Sequence, residues 1–316
     1  MHATSSPLLV LLPVICTTLF LTGSAIQLHR PDGRRCIPAE RDALLSFKKG
    51  ITYDLTNRLS SWGHSQDCCQ WRGVSCSNET GHVLKLHLRN QNPDPNTRSG
   101  CGNNGNGLFG QISPSLLSLK QLEHMDLSMN CFTAHIPLFL GSMKKLRYLN
   151  LSGILFSGEV PPQLGNLSNL QYLDLGTEIG KSGIYSKDIT WLKNLPVLQY
   201  LSMRNIDLSQ ISDWPHVLNS IPSLKVIDLS YCSLVSANQT ISYTNLTKLE
   251  KLDLSDNSFD HEIASCWFWK VTNLKYLYLG DNNLTGPFYD ALENMSSLQV
   301  LHVILSQQQP IDERKL

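Results

Sequence analysis

At 316 residues the chain has a formal net charge of zero and only 16% charged side chains, against about 25% in typical domains. That balance excludes the strongly basic surface that binding to nucleic acid or to anionic lipid needs. The length suits one or two ordinary domains, but LxxLxL segments recur from Leu122 to Leu298 at intervals of 24, 24, 28, 26, 25, 25 and 24 residues, so a single elongated array replaces that count.

From the N terminus, residues 8–21 form an apolar run, broken by Pro13 and Thr17-Thr18 and followed by Gly23-Ser24-Ala25. Residues 1–25 read as a secretory signal peptide, although His2 is the only candidate charge ahead of the run. The alternative, an uncleaved membrane anchor, is disfavoured because the run falls short of the ~20 residues a span needs. Asn-x-Ser/Thr sequons at Asn78, Asn150, Asn166, Asn238, Asn245, Asn283 and Asn294 agree with secretion, since glycosylation requires the secretory pathway and a solvent-facing asparagine. The expected location is the cell surface or the extracellular space.

Residues 26–80 form a different unit. Pro38 to Lys49 reads as a helix with Leu44, Leu45 and Phe47 on one side, stopped by Gly50, and Leu55, Leu59 and Trp62 read as a second short amphipathic turn. The first rung of a stack would otherwise offer bare leucines to water, so a cap with a polar exterior is physically required. Cys36, Cys68, Cys69 and Cys76 allow three pairings. Adjacent Cys68 and Cys69 point apart in extended chain and bridge each other poorly; the expected pairs are Cys36–Cys68 and Cys69–Cys76. Pairing among Cys101, Cys131, Cys232 and Cys266 stays open, with Cys101 and Cys131 a candidate pair from consecutive repeats.

Residues 81–303 hold about nine repeats. The first begins at Val83 and is interrupted by an insertion over residues 89–107, rich in Asn, Gly and Pro. A literal G-x-G-x-x-G at Gly100, Gly102 and Gly105 has neither the preceding strand nor the following helix of a phosphate-binding unit, so no cofactor is implied. Each L-x-L marks a short parallel strand whose inward positions are Met125/Leu127, Leu149/Leu151, Leu173/Leu175, Leu201/Met203, Ile227/Leu229, Leu252/Leu254 and Leu277/Leu279. Three residues further on, a turn position holds Asn130, Cys232, Asn257 and Asn282, but Ile154, Glu178 and Ile206 in the middle. Asparagine there can bond the backbone of adjoining turns, a support the central repeats have lost. Gly176 to Lys187 lengthens one repeat and reads as an emergent loop. Trp267-Phe268-Trp269 reads as core filling on the convex side. The copy beginning at Leu298 decays into residues 304–316, an irregular tail of an array that reads as truncated.

Repeats of this length cannot bury their leucines alone, and stacking them produces an open surface in place of a closed pocket. Outward strand positions then form columns about 4.8 Å apart. One runs His124, Tyr148, Tyr172, Tyr200, Val226, Lys251, Tyr276; the next runs Asp126, Asn150, Asp174, Ser202, Asp228, Asp253, Tyr278. These stripes are the candidate binding face, because tyrosine offers a large contact area with little entropy to lose. The aspartates are equally readable as scaffold. Asp228 and Asp253 lie on an open sheet with no desolvating cavity, so raised pKa values and acid–base catalysis are not expected. Neither the histidines nor the cysteines show a local metal-ligand motif, and no metal is expected.

The cap segment CCQWRGVSC and the repeats LEHMDLSMNCFTAHIP, LRYLNLSGILFSGEVPPQLGNLSNLQYLDLG and LKYLYLGDNNLTGPF resemble the plant extracellular leucine-rich repeat family, in particular receptor-like proteins and receptor kinase ectodomains. The resemblance covers Cys36 to about Leu301. It implies an α/β solenoid, a right-handed leucine-rich repeat superhelix with a parallel concave sheet and a disulfide-stapled helical cap. It also implies a second short sheet from x-G-x-I-P segments at Gly110/Ile112, Ile136/Pro137, Gly158/Val160/Pro161 and Gly286/Phe288. The implied function is ligand recognition without catalysis. Expected partners are a peptide, a protein or a microbial elicitor, and a membrane receptor kinase or co-receptor. The family's membrane attachment is expected, though this chain has no C-terminal span. Alternatives are a secreted inhibitor of microbial polygalacturonase-type enzymes, which needs no span, and a non-signalling fragment.

Overall fold

The computed structural model describes residues 35–93, 101, 106–177 and 183–304, all within one compact unit, Arg34–Leu316. The expected signal peptide, the glycine motif, Glu178 and the tail beyond residue 304 lie outside them.

The L-x-L segments do form strands, and they pair in sequence order. Val83–His87, His124–Asp126, Tyr148–Asn150, Tyr172–Asp174, Tyr200–Ser202, Val226–Asp228, Lys251–Asp253, Tyr276–Tyr278 and Val300–His302 run parallel in a ten-stranded sheet, and Val74–Cys76 of the cap adds an antiparallel edge. The pairing register aligns equivalent positions of every repeat, as in Leu149↔Leu173 and Leu252↔Leu277. Each inward residue therefore sits over the equivalent one of the next rung, and all are buried up to Leu279, with Leu301 of the last strand half-buried. A one-residue slip would turn the whole apolar set to solvent, so hydrophobic patterning alone enforces this register.

The opposite side consists of short 3-10 turns such as Leu138–Ser142, Pro162–Asn166 and Thr190–Asn194. Trp267, Phe268 and Trp269 are buried there, as expected of core filling, and so is Trp191. The Trp269 indole donates to the Ile263 carbonyl at 2.7 Å. Tight winding of these turns requires glycine at Gly141, where a Cβ would stand 2.2 Å from the Gln163 carbonyl oxygen.

The helix Pro38–Lys49 buries Glu40, Ala43, Leu44 and Phe47, one face at helical spacing. Leu45, expected on that face, lies at its margin and is half-buried. The second amphipathic turn is not helical: residues 54–61 form irregular turns, Leu59 and Trp62 are buried, and Leu55 is exposed. Short turns let the chain insert the Trp62 ring, which stacks on Trp71 at 5.4 Å and donates from its indole to the Arg72 carbonyl.

Polar groups fasten this cap to the array. Buried Glu40 accepts the Val83 amide at 2.7 Å and meets His82 Nδ1 at 2.8 Å. Buried Arg58 donates to the Asn130 side chain at 2.8 Å, to the Arg89 carbonyl at 2.8 Å and to the Leu88 carbonyl. Among the described residues the disulfides are Cys36–Cys68 and Cys69–Cys76, with a third between Cys101 and Cys131. Cys232 and Cys266 are free and buried, and burial pushes the Cys266 thiol up to about 12.

The turn asparagines act as the backbone argument requires. Asn257 Nδ2 donates to the carbonyls of Leu229, Leu254 and Ser255, while Oδ1 accepts the amides of Cys232 and Leu234. Cys232 substitutes in kind, its Sγ lying 3.2 Å from the Met203 carbonyl. At the centre Ile154 and Ile206 are fully buried instead, so the lost bonds are replaced by apolar packing.

The expected second sheet exists in fragments. Phe109–Gly110 pairs with Cys131–Phe132, and with the cap strand Ile51–Tyr53 antiparallel. Gly183–Tyr185 pairs with Ser157–Glu159, so part of the presumed loop at residues 176–187 is a strand of this sheet. Elsewhere it reduces to the single bridges Tyr185↔Asp207 and Glu262↔Thr285.

Candidate ligand-binding face

Strand register brings the expected columns together and lengthens both. His124, Tyr148, Tyr172, Tyr200, Val226, Lys251 and Tyr276 occupy successive rungs, preceded by Lys85 and followed by Val300. The second column adds His87 before Asp126 and His302 after Tyr278.

In the first column the rings stack face to face. Centroids are 4.1 Å apart for His124–Tyr148, 4.2 Å for Tyr148–Tyr172 and 4.1 Å for Tyr172–Tyr200, with planes within 14° of parallel. Adjacent parallel strands are spaced about 4.8 Å apart, so a small tilt suffices to bring equivalent rings into contact. The stack ends at Val226, which has no ring to continue it. Beyond it, the Lys251 ammonium lies 5.1 Å from the centre of the Tyr278 ring. Alongside, Arg204 covers the Tyr231 ring at 4.7 Å.

The second column behaves differently from a row of contact residues. Asp126, Asn150 and Ser202 are each only 3% exposed. Asp126, Asn150, Asp228 and Asp253 each use Oδ1 to accept both the amide and the hydroxyl of the serine two residues on; Asp174 accepts the Gly176 amide. These side chains close the turn that ends each strand, which is why Asp or Asn followed at that distance by serine recurs. On the rungs of the ladder the rings reach over them: the Asn150 amide donates to the Tyr148 hydroxyl, and the Tyr172 hydroxyl donates to Asp174 at 3.4 Å.

Burial has electrostatic consequences. Desolvation pushes Asp174 up to about 6, with Asp228 nearby adding to the rise. At Asp174 burial beneath the strand face supplies the desolvation that a cavity would provide. Burial likewise raises Tyr172, and raises Tyr200 to about 12, so both keep their hydroxyl protons. His124 is lowered to about 4, mainly by burial and then by Lys85.

Of the sequon asparagines, Asn78, Asn166, Asn238, Asn245, Asn283 and Asn294 are exposed. Asn150 is not: it lies beneath the ladder with its carboxamide engaged, and a glycan there would require the stack to open.

Sequence reading placed the first repeat at Val83 but did not extend the outward columns to it, and so missed His87. One ring nitrogen each from His87 and His124 and a carboxylate oxygen of Asp126 lie within 4.8 Å of one another. No local motif signals this group, since two repeats contribute to it.

Fold and face together define a leucine-rich repeat solenoid with a plant-type cap. The chain matches the Leucine rich repeat N-terminal domain family over residues 37–77 and Leucine rich repeat families over residues 145–167, 222–284 and 247–303. It is 38% identical over 274 residues to Receptor-like protein EIX1 of Solanum lycopersicum and 38% identical over 278 residues to Receptor-like protein EIX2 of the same plant. Those alignments cover 84% and 85% of this chain but 26% of each relative. The chain thus spans about a quarter of the length of these relatives. Among solved structures, the ectodomain of the Arabidopsis thaliana membrane receptor kinase GASSHO1/SCHENGEN3, in complex with CASPARIAN STRIP INTEGRITY FACTOR 2, aligns with a TM-score of 0.65 at 25% identity, over 84% of this chain and 30% of that one. The Arabidopsis receptor kinase HAESA, in complex with the peptide hormone IDA and the co-receptor SERK1, aligns with a TM-score of 0.61 at 25% identity, over 85% of this chain and 46% of that one. The protein is a plant extracellular leucine-rich repeat protein of the receptor-like type. No helix among the described residues is long and apolar enough to cross a membrane.

Proposed function

We propose that this chain is a ligand-recognising surface of a plant cell-surface receptor-like protein, which takes a peptide, protein or microbial elicitor along its concave face. In this reading it has no catalytic role and signals, in defence or development, through a partner membrane kinase or co-receptor. The observation that carries the reading is the stacked ladder of His124, Tyr148, Tyr172 and Tyr200. Stacked rings are already ordered, so a ligand laid against them meets a wide amphipathic surface without paying to immobilise it. Lys251, Tyr276 and Tyr278 continue the same face with a cation and further rings. The aspartates shape this face from below. The resemblance to ectodomains solved with a peptide and a co-receptor supports the assignment of partner class.

Surface plasmon resonance against a panel of secreted plant peptides and microbial elicitor preparations tests it. For a binder so identified, Tyr172→Ala is expected to weaken affinity about 30-fold, the ~2 kcal/mol typical of an aromatic hot spot. Leu138→Ser on the opposite side is expected to change nothing. Equal loss in both variants, or none in the tyrosine variant, would refute the assignment of this face.

A further inference from the structure

The first two rungs of the sheet carry a group of side chains, among them the first ring of the ladder, whose arrangement ligand recognition does not explain. His87 Nδ1 and His124 Nε2 are both buried, and neither has a hydrogen-bond partner. A buried polar atom left unpaired costs about 1–3 kcal/mol. Two of them beside a buried carboxylate therefore ask for a species that can serve all three. The Asp126 Oδ2 atom lies 3.5 Å from His87 Nδ1, and a nitrogen of each ring lies with a carboxylate oxygen inside a 4.8 Å span.

We propose that His87, His124 and Asp126 bind a divalent transition-metal ion of the class that favours imidazole, with Zn2+ as its representative. Donor atoms held about 2.0–2.1 Å from a tetrahedral zinc stand about 3.4 Å apart, close to the His87–Asp126 separation. The third donor lies in the wider part of the 4.8 Å span and moves inward when the ion binds. Two imidazoles and one carboxylate select against Ca2+ and Mg2+, which take oxygen shells. Support beyond the ligands is in place. Asp126 Oδ1 accepts the Ser128 amide at 3.0 Å and the Ser128 hydroxyl at 2.6 Å, which leaves Oδ2 turned toward His87. The His124 ring rests against Tyr148 at 4.1 Å. Such outer contacts fix ligand orientation in metal sites. Lys85, the neighbour of His124 in the first column, is exposed and keeps its ammonium in water. Three protein ligands leave a fourth position for water or for an anionic group of a bound ligand. The ion would lock the N-terminal end of the aromatic ladder.

The test uses the tag-free full chain with its disulfides intact, treated with chelator and dialysed. Titration with Zn2+ followed by calorimetry is expected to show one saturable site. His87→Gln and His124→Gln are each expected to weaken it at least tenfold, whereas His135→Gln, at an exposed histidine elsewhere, leaves it unchanged. Circular dichroism confirms that each variant is folded. Independently of any substitution, Co2+ added to the unaltered chain is expected to give the visible absorption of a nitrogen and oxygen shell. The proposal is overturned by no saturable binding, by unchanged affinity in both substituted chains, or by a thiolate-to-cobalt charge-transfer band.

Discussion

Replacing Asn257 by alanine isolates what one turn asparagine contributes. The substitution deletes five hydrogen bonds, and three of the backbone groups involved, the Leu229 carbonyl and the amides of Cys232 and Leu234, have no other partner in the described hydrogen-bond network. The Leu254 carbonyl keeps the Asn282 amide, and the Ser255 carbonyl keeps the Tyr231 amide. Each orphaned buried group costs about 1–3 kcal/mol, so three give a loss of about 3 kcal/mol at the low end. Asn282→Ala orphans fewer groups, the Phe259 amide at a long 3.4 Å and the Leu279 carbonyl, at a position that is only half-buried. Its expected loss is about half as large. Urea unfolding followed in parallel by circular dichroism and tryptophan fluorescence measures both and tests whether the array melts as one unit. A loss under about 1 kcal/mol for Asn257→Ala, or equal losses at the two positions, would refute backbone satisfaction as the role of these side chains.

Because burial holds Asp174 at about 6, well above its unfolded value near 4, the folded chain binds a proton there that the unfolded chain releases. Stability from this group is therefore greatest below pH ~4 and is lost as pH rises through about 6, by at most about 3 kcal/mol; urea midpoints at pH 5 and pH 7 should differ less in Asp174→Asn than in the parent, and an identical difference would contradict this. Gly141→Ala forces a Cβ against the Gln163 carbonyl and is expected to cost about 1–3 kcal/mol in thermal melts, while Gly183→Ala, with nothing within 4 Å, should be silent. Removing Cys36–Cys68, which closes 32 residues, should cost about 1 kcal/mol more than removing Cys69–Cys76, which closes 7; equal unfolding midpoints for the two double-serine variants would count against the chain-entropy account.

Repeat spacing, the inward leucines, the cap disulfides and membership of both outward columns were legible in the linear chain. The disulfides follow from the poor geometry of a bridge between adjacent Cys68 and Cys69, and the rest from a periodic rule: residues two apart share a strand face, and equal spacing puts equal positions in register. Irregular parts were less legible. Leu45 and Leu55 were misplaced because a cap without repeats offers no periodicity to correct a guess. The strand Gly183–Tyr185 was hidden within an apparent insertion. Reading one column as accessible failed at Asp126, Asn150 and Ser202, since alternation tells which face a residue occupies and not what lies over it.

Covering of that kind is a property of the stack. The sequence by itself determined that leucines at this period must pile into one sheet, because no single repeat can bury them. Only the tertiary structure decided that four rings close ranks into a ladder, that Asp126, Asn150 and Ser202 sink beneath it, and that His87 meets His124 and Asp126. Those outcomes depend on contacts between neighbouring rungs, where side-chain size and tilt choose among arrangements that the same repeat spacing permits.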